Sequence, residues 1–509
     1  MTEGTLSGVV SRLAREKPHA PAFLTEEGTV TWAQYDAGAD RAAAALTGSG
    51  LAEGDRVGIL LPDGAEVHQW YIGAERAGLV VVGIGPRAGE AEVRHLLSRS
   101  GARGLVTGDE LTGRPAKETV AGLRARGLEL DIHLRSGAVA ASDAASFRPP
   151  VRPMGPDDLF LLNSTSGTTG LPKCVMHHQR RWFYFHRLAL EAGALSADDV
   201  FMSLLPTPFG FGLWTSHFTP TLLGAPVAVM PRFRAGAALR LAAQHRVSVL
   251  ACVTTQFVMM LDDPNLAGTD LSHLRVMFTG GEAVPYHRAR QFEEETGARV
   301  LQFYGSNETG ALSRTTLADP PERRLRTAGR VIPEMAVRLL RDGEDVTASG
   351  GPGEPVCRGP ATSLGYWDDP EANARLLTPD GWMRTGDVAE IADGYLTIVG
   401  RLSDIIIRGG KNISAAQVEE EVGTHPGIAM VAAVAQPDPV FGERVCVFVV
   451  GRGGAQPTVE DIGTHLAGRG VGKELWPEAV MVVDELPRAS GGKVAKAELR
   501  ARLAGGGPR

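Results

Sequence analysis

Lysine is nearly missing from this chain: its 52 Lys and Arg residues include only Lys17, Lys117, Lys173, Lys411, Lys473, Lys493 and Lys496 as lysines. Arginine carries almost all of the positive charge, so a lysine placed in a polar loop calls for its own explanation. Cysteine is scarce as well. Cys174, Cys252, Cys357 and Cys446 lie far apart with no CxxC pair, which excludes a disulfide framework and a zinc ribbon and makes a reducing cytoplasm the expected compartment. The 13 histidines form no HExxH pattern. No apolar run is long enough to cross a bilayer, the segment 427–435 being among the longest. Lys/Arg-rich blocks are absent and the formal net charge is −7, so neither nucleic acid nor an anionic membrane is an expected partner. The opening residues hold Glu3 and no apolar signal core; Leu6, Val9, Val10 and Leu13 instead mark one face of a soluble helix.

What is present has an α/β texture. Short apolar runs at 57–61, 80–84, 159–162, 201–205, 227–230, 276–279 and 300–303 alternate with helical patterns such as 32–47 and 90–98, as buried strands with covering helices do. Pro149, Pro150, Pro153 and Pro156 mark 148–158 as an extended connector. Beyond about residue 325, short runs at 337–340, 355–357 and 396–399 between Gly, Pro and Asp turns predict a small β element. Strands at 405–407, 430–435 and 446–450 with a helix at 415–423 predict an α+β unit, and the Gly/Ala-rich tail after Leu503 is expected to fray. No internal repeat occurs, and no residue pattern specifies an oligomeric state.

Two of the rare lysines end polar loops. Lys173 closes Ser164-Thr165-Ser166-Gly167-Thr168-Thr169-Gly170-Leu171-Pro172, and Lys493 closes Pro487-Arg488-Ala489-Ser490-Gly491-Gly492. The first is not a Walker loop, since the GxxxxGK(S/T) spacing fails, but Gly and hydroxyl residues in series can wrap phosphate oxygens while an ammonium adds charge. After the run at 300–303 comes Tyr304-Gly305-Ser306-Asn307-Glu308-Thr309, where an aromatic can stack on a base and a carboxylate can take Mg²⁺. Trp382-Met383-Arg384-Thr385-Gly386-Asp387 sets a carboxylate after a tight turn, suited to a ribose diol. Arg401-Leu402-Ser403-Asp404 and Arg408-Gly409-Gly410-Lys411 sit where the texture changes, a natural place for a hinge.

In this order and at these separations the segments resemble the adenylate-forming superfamily of acyl-CoA synthetases, nonribosomal adenylation domains and luciferases. The resemblance runs from Val30-Thr31-Trp32 and Gly54-Asp55-Arg56-Val57 through STSGTTGLPK, TGGE at 279–282, YGSNE, GWMRTGD and GRLSDIIIRGGKNIS to PRASGGK. It implies a large N-terminal domain, 1–401, of two parallel-sheet α/β subdomains plus a small β-barrel-like element, and a small mobile α+β lid domain, 404–509. It further implies that residues 164–173 grip the ATP phosphates, with Lys173 a catalytic cation. Gly280, Gly281, Glu282 and Tyr304, with Gly305 and Asn307 beside it, would frame the nucleotide. Glu308 would bind Mg²⁺, and Asp387 with Arg401 would hold the ribose. Lys493 would reach the substrate carboxylate and the α-phosphate. After adenylation the lid would rotate, withdrawing Lys493 and bringing Gly409, Gly410 and Lys411 to a tunnel for the thiol of CoA or of a carrier protein's phosphopantetheine.

The chain also departs from the family pattern. Cys174 stands where glycine is usual, either a thiol activated by Lys173 or, as preferred here, a small side chain behind the loop. Asn307 replaces a usual threonine, Ala489 another, and Ser403 a usual Asp or Lys hinge. In the run 204–214, Phe209, Phe211 and Trp214, with Gly280, predict a largely apolar slot for an aromatic, alicyclic or medium-length acid. No acidic residue is placed there to hold an amino group. The expected activity is acid–CoA ligation. A stand-alone enzyme loading a carrier protein in trans, or one activating nitrite for aryl-amine diazotisation, remain alternatives.

Overall fold

The computed structural model describes residues 4–111, 113–137, 152–164, 172–488 and 494–504. The expected site residues Thr165, Ser166, Gly167, Thr168, Thr169, Gly170 and Lys493 lie outside them, as do Leu171, Ala489, the connector residues 148–151 and the tail 505–509.

Strong local signals set the helices. Helix Trp32–Gly48 opens with a capping box: the Gln34 N–H donates to Thr31 Oγ1 and the Thr31 N–H donates to Gln34 Oε1, satisfying donors that a helix start leaves open. The opening helix Leu6–Glu16 buries Leu6, Val10 and Leu13, on the face that the sequence marks.

The protein consists of a large N-terminal α/β domain and a small C-terminal domain. Six strands form one sheet in the order Cys174–His178, Leu159–Ser164, Val80–Gly83, Arg56–Leu60, Gly104–Thr107, Ile132–Arg135, all parallel except the first. The second sheet has eleven strands. Its parallel heart runs Pro21–Leu24, Val227–Ala228, Phe201–Ser203, Val249–Ala251, Val276–Gly280, Arg299–Ser306. Antiparallel Thr29–Thr31 forms the edge beside Pro21–Leu24, and antiparallel Gly310–Arg314, Arg330–Val331, Tyr395–Arg401 and Asp387–Ala392 continue the sheet on the other side. A four-stranded antiparallel sheet, Glu344–Asp345, Ala336–Arg341, Glu354–Arg358 and Met383–Arg384, is the small β element.

One strand runs longer than its apolar run predicts. Arg299–Ser306 carries Tyr304 within it, because residues 303–306 pair with Gly310–Arg314 across a bulge. Only glycine fits at position 305: φ is +157° and a Cβ would lie 1.7 Å from the Gly310 carbonyl oxygen.

A single 3₁₀ turn, Leu402–Asp404, separates the eleven-stranded sheet from the next, which begins at Ile405–Arg408 and holds Lys411–Ser414, Ile428–Asp438, Gly442–Gly451 and Ala479–Val482. Its apolar face centres on Ile406, Val418, Val445, Val447 and Ile462. The small domain rests on the large one through Arg452, which pairs with Asp262 at 3.4 Å, and through the Ser414 hydroxyl, which donates to the Val399 carbonyl. Among the described residues no helix is long and apolar enough to cross a membrane.

Candidate active site

The carboxyl ends of parallel strands converge, as they do around ligands in open α/β sheets. Leu159–Ser164 delivers Asn163 and Ser164; Val276–Gly280 delivers Gly280 and Gly281; Arg299–Ser306 delivers Tyr304 and the turn holding Asn307 and Glu308. Between them open two clefts that share Gly280, Gly281, Tyr304, Gly305 and Arg401. The larger, about 930 Å³, also takes in Ser164, Lys173, Asn307 and Glu308. The smaller, about 410 Å³, lies between the domains, with Glu282 and Asp387 on one wall and Lys496 and Arg500 on the other.

On the side expected for the base and ribose, three residues form a connected set. The Tyr304 hydroxyl donates to Asp387 Oδ2 at 2.7 Å, and Arg401 Nε lies 3.3 Å from Asp387 Oδ1. Burial, then the neighbouring Asp387 charge, drives the Tyr304 phenol well above its ordinary value, so it stays a neutral donor. Each Asp387 oxygen keeps lone-pair capacity for a diol while its orientation is fixed.

On the side expected for the phosphates, Lys173 Nζ lies over the Tyr366 ring at 5.1 Å and the Tyr366 hydroxyl donates to Glu308 Oε1 at 2.7 Å. Tyr366 thus ties the two expected phosphate-side charges together. The sequence reading missed it, since a lone tyrosine in Gly365-Tyr366-Trp367 carries no spacing signal. It arrives by long-range pairing, the Met176 N–H bonding to the Gly365 carbonyl and the Trp367 N–H to that of Cys174. Ser164 Oγ is buried without a hydrogen-bond partner among the described residues, as an atom awaiting a phosphate oxygen would be. No cluster of three metal-ligating side chains occurs among them. A lone carboxylate beside a phosphate site nevertheless fits Mg²⁺, which keeps most of its waters and takes its other oxygens from substrate phosphates.

Phe209, Phe211 and Trp214 all line the larger cleft, with Trp182, Phe185 and Phe303. Phe211 and Trp214 stack at 5.4 Å and 11°. Trp214 is also core, 3% exposed and packed on Phe278 and Phe303. It sits on a π-helical stretch, Leu213–Phe218, a distortion frequent at functional sites. The carboxylates lining this cleft are Glu308 and Glu354, and Glu354 pairs with Arg384.

The two ends of the second lysine loop stand together. Arg488 and Val494 form an antiparallel bridge, Arg488 Nη2 lies 3.7 Å from Met259 Sδ, and Val494 lines the smaller cleft. Burial lowers the Arg488 guanidinium, with the nearby Glu282 charge opposing. Gly409, Gly410 and Lys411 line neither cleft; Lys411 instead approaches Glu474 at 4.0 Å.

Cys174 is 2% exposed, and burial pushes its thiol up to about 12, which favours the small-side-chain reading. Cys252, Cys357 and Cys446 are buried with raised values as well. Intact-mass measurement after iodoacetamide at about pH 8 should therefore show no adduct on the folded chain and four after denaturation, because only thiolates react. A rapid single adduct at Cys174 would refute that reading.

Joined clefts of this kind, the larger setting a lysine and a carboxylate beside an aromatic wall, suit an enzyme that activates an acid on a nucleotide. The chain belongs to the AMP-binding enzyme family, within the adenylate-forming superfamily: the family profile matches residues 10–367 and that of the AMP-binding enzyme C-terminal domain residues 417–493. It is 33% identical over 499 residues to a feruloyl-CoA synthase from Amycolatopsis sp, covering 97% of this chain and 98% of that protein. To a sulfoacetate–CoA ligase from Cupriavidus necator it is 31% identical over 505 residues, covering 97% of each. The structure of ATP-bound MatB from Rhodopseudomonas palustris superposes with a TM-score of 0.85 at 26% identity, over 98% of this chain and 99% of that one.

Proposed function

We propose that this enzyme joins an aromatic monocarboxylic acid to AMP and then passes the acyl group to the thiol of CoA. The observation that carries the reading is the continuity of the aromatic slot with the cleft holding Ser164, Lys173 and Glu308, so that a carboxylate in the slot faces the α-phosphate. The feruloyl-CoA synthase relative supports an aryl or arylalkenoic acid, and among the described residues the carboxylates lining the cleft, Glu308 and Glu354, are engaged with Tyr366 and Arg384, which argues against an amino acid.

In the first half, a carboxylate oxygen bonds to the α-phosphorus and the bond to the pyrophosphate oxygen breaks, releasing pyrophosphate. The nucleotide is held by Tyr304, Asp387 and Arg401, and its phosphates by residues 164–173. Bound at Glu308, Mg²⁺ would supply charge neutralisation to the phosphate oxygens. Lys493 stabilises the charge gathering between carboxylate and α-phosphate. In the second half, the thiolate sulfur bonds to the acyl carbon and AMP leaves with the bonding pair. We place the domain boundary at the turn 402–404 and assign this arrangement to the first half. Arg488 and Val494 stand at the nucleotide cleft, and the 409–411 turn is away from it.

The test is pyrophosphate release with ATP and Mg²⁺ over benzoates, cinnamates, cyclohexanoate, medium-chain acids, amino acids and nitrite plus an aryl amine, each with and without CoA, with products identified by mass spectrometry. An aroyl- or cinnamoyl-CoA product is expected. Turnover that requires an amine or a carrier protein in place of CoA would overturn the acceptor, and preference for an amino acid would overturn the acid.

A further inference from the structure

A buried polar chain lies beneath the site, joining residues distant in sequence. Arg181 is fully buried and lines the larger cleft, and its guanidinium bonds to an imidazole and a carbonyl. Its Nη1 donates to His177 Nδ1 at 2.6 Å and to the Asn307 carbonyl at 2.9 Å. An acceptor at Nδ1 of a neutral imidazole puts the proton on Nε2, and that N–H donates to Asn163 Oδ1 at 2.6 Å. Burial, then the Arg181 charge, holds His177 well below its ordinary value, in keeping with the neutral ring.

The direction of donation then fixes both amides. Asn163 Oδ1 also accepts from Asn307 Nδ2 at 3.0 Å, while Asn163 Nδ2 donates to Asn307 Oδ1 at 3.2 Å and to the Pro208 carbonyl at 3.1 Å. Asn307 Nδ2 donates further to the Ser164 carbonyl at 3.2 Å. The Asn307 side chain is therefore committed to the root of the phosphate loop and the wall of the acid slot. Gly210 packs against it so closely that a Cβ there would lie 2.6 Å from Asn307 Oδ1. A threonine, the usual family residue, has one hydroxyl and cannot replace an amide that donates twice and accepts once.

We propose that Arg181, His177, Asn163 and Asn307 form one positioning relay that sets the acid-slot wall at 206–212 against the Ser164 and Glu308 side of the nucleotide cleft. These four are positioning residues, and the consequence is that the register of the acid slot against the phosphate loop depends on the tautomer of a histidine that lines neither cleft. The proposal rests on the acid–CoA ligase reading above.

Two measurements on the full chain test it. Selective ¹⁵N-histidine labelling should show His177 with protonated Nε2 and bare Nδ1, identified by its loss in His177→Gln; the opposite tautomer, or a protonated ring at neutral pH, overturns the relay whatever the acid. With the best acid of the panel, His177→Leu and Asn307→Thr should each raise the Michaelis constant for the acid about tenfold, the scale of a typical coupling energy. His177→Gln should recover most of the loss, because a glutamine can accept from Arg181 and donate to Asn163. Equal losses in His177→Leu and His177→Gln, or an unchanged Michaelis constant for the acid in both His177→Leu and Asn307→Thr, overturn the proposal. If the unaltered enzyme turns over no acid in the panel, the ligase reading fails, while the tautomer still decides the relay.

Discussion

Lys493→Ala is expected to slow acyl-adenylate formation by about 10²–10³-fold, the loss typical of removing one preorganised electrostatic donor. The reasoning begins with charge. Carboxylate, α-phosphate and departing pyrophosphate crowd anionic oxygens together, and a cation that strengthens its contacts only as the new bond forms lowers the barrier without tightening the ground state. A lysine does this from one flexible stem with a compact charge. The residues on either side of its loop, Arg488 and Val494, are paired at the nucleotide cleft near Glu282. The second half puts no comparable charge at that place, so transfer of the acyl group from preformed acyl-adenylate to CoA should slow by less than about tenfold. Single-turnover quench experiments separate the halves. Equal slowing of both would remove Lys493 from its assigned role and make the loop a structural part of the lid.

The candidate site's segments stand out in the chain because each is local. The Ser/Thr/Gly loop ending at Lys173, the YGSNE turn and Asp387 after Thr385-Gly386 are each a few consecutive residues, and strand ends present such segments without help from afar. The strands that carry them were legible for a similar reason: buried parallel strands are short continuous apolar runs. What stayed hidden needed distant partners. Asn163 and Asn307 are 144 positions apart, and nothing in the period around either shows that they face each other. Tyr366 reaches Glu308 only because its segment pairs beside Cys174–His178. The first strands were illegible as members of the second sheet, since Pro21–Leu24 joins it by pairing with Val227–Ala228, two hundred residues on. The π-helical turn at Leu213–Phe218 is fully buried, and no residue preference in the run marks it.

Acid should unfold this enzyme early. His68, His177 and His217 are at most 2% exposed. Burial holds all three far below the ordinary histidine value of 6.5, His217 at about 3, with the neighbouring His217 adding to the effect at His68. His68 and His217 meet through their Nδ1 atoms at 3.0 Å, a contact that requires at least one bare nitrogen. Folded values below the unfolded one mean that the stability these groups contribute is complete above about pH 6.5 and is lost as the pH falls, because the unfolded chain takes up protons that the native core refuses. Each such group lowers the unfolding free energy by about 1.4 kcal/mol per pH unit, or about 2 kcal/mol between pH 7 and pH 5. Asp63 acts in the opposite sense. Burial raises it to about 6 despite bonds from Thr207, so its folded form gains a proton first and returns stability as pH falls from about 6 towards 3.8. Glu66, Glu75 and Glu420, raised by burial as well, act with Asp63, while His186 and His287, each lowered by burial to about 4, act with the three histidines, and the balance is a loss of stability on acidification. Urea titrations at pH 7, 6 and 5 should show the midpoint falling steeply. His177→Gln should flatten the dependence by about one proton, that is about 1.4 kcal/mol per pH unit. A midpoint that holds steady to pH 5 would mean that the native core accepts these protons, contrary to the neutral His177 on which the positioning relay depends.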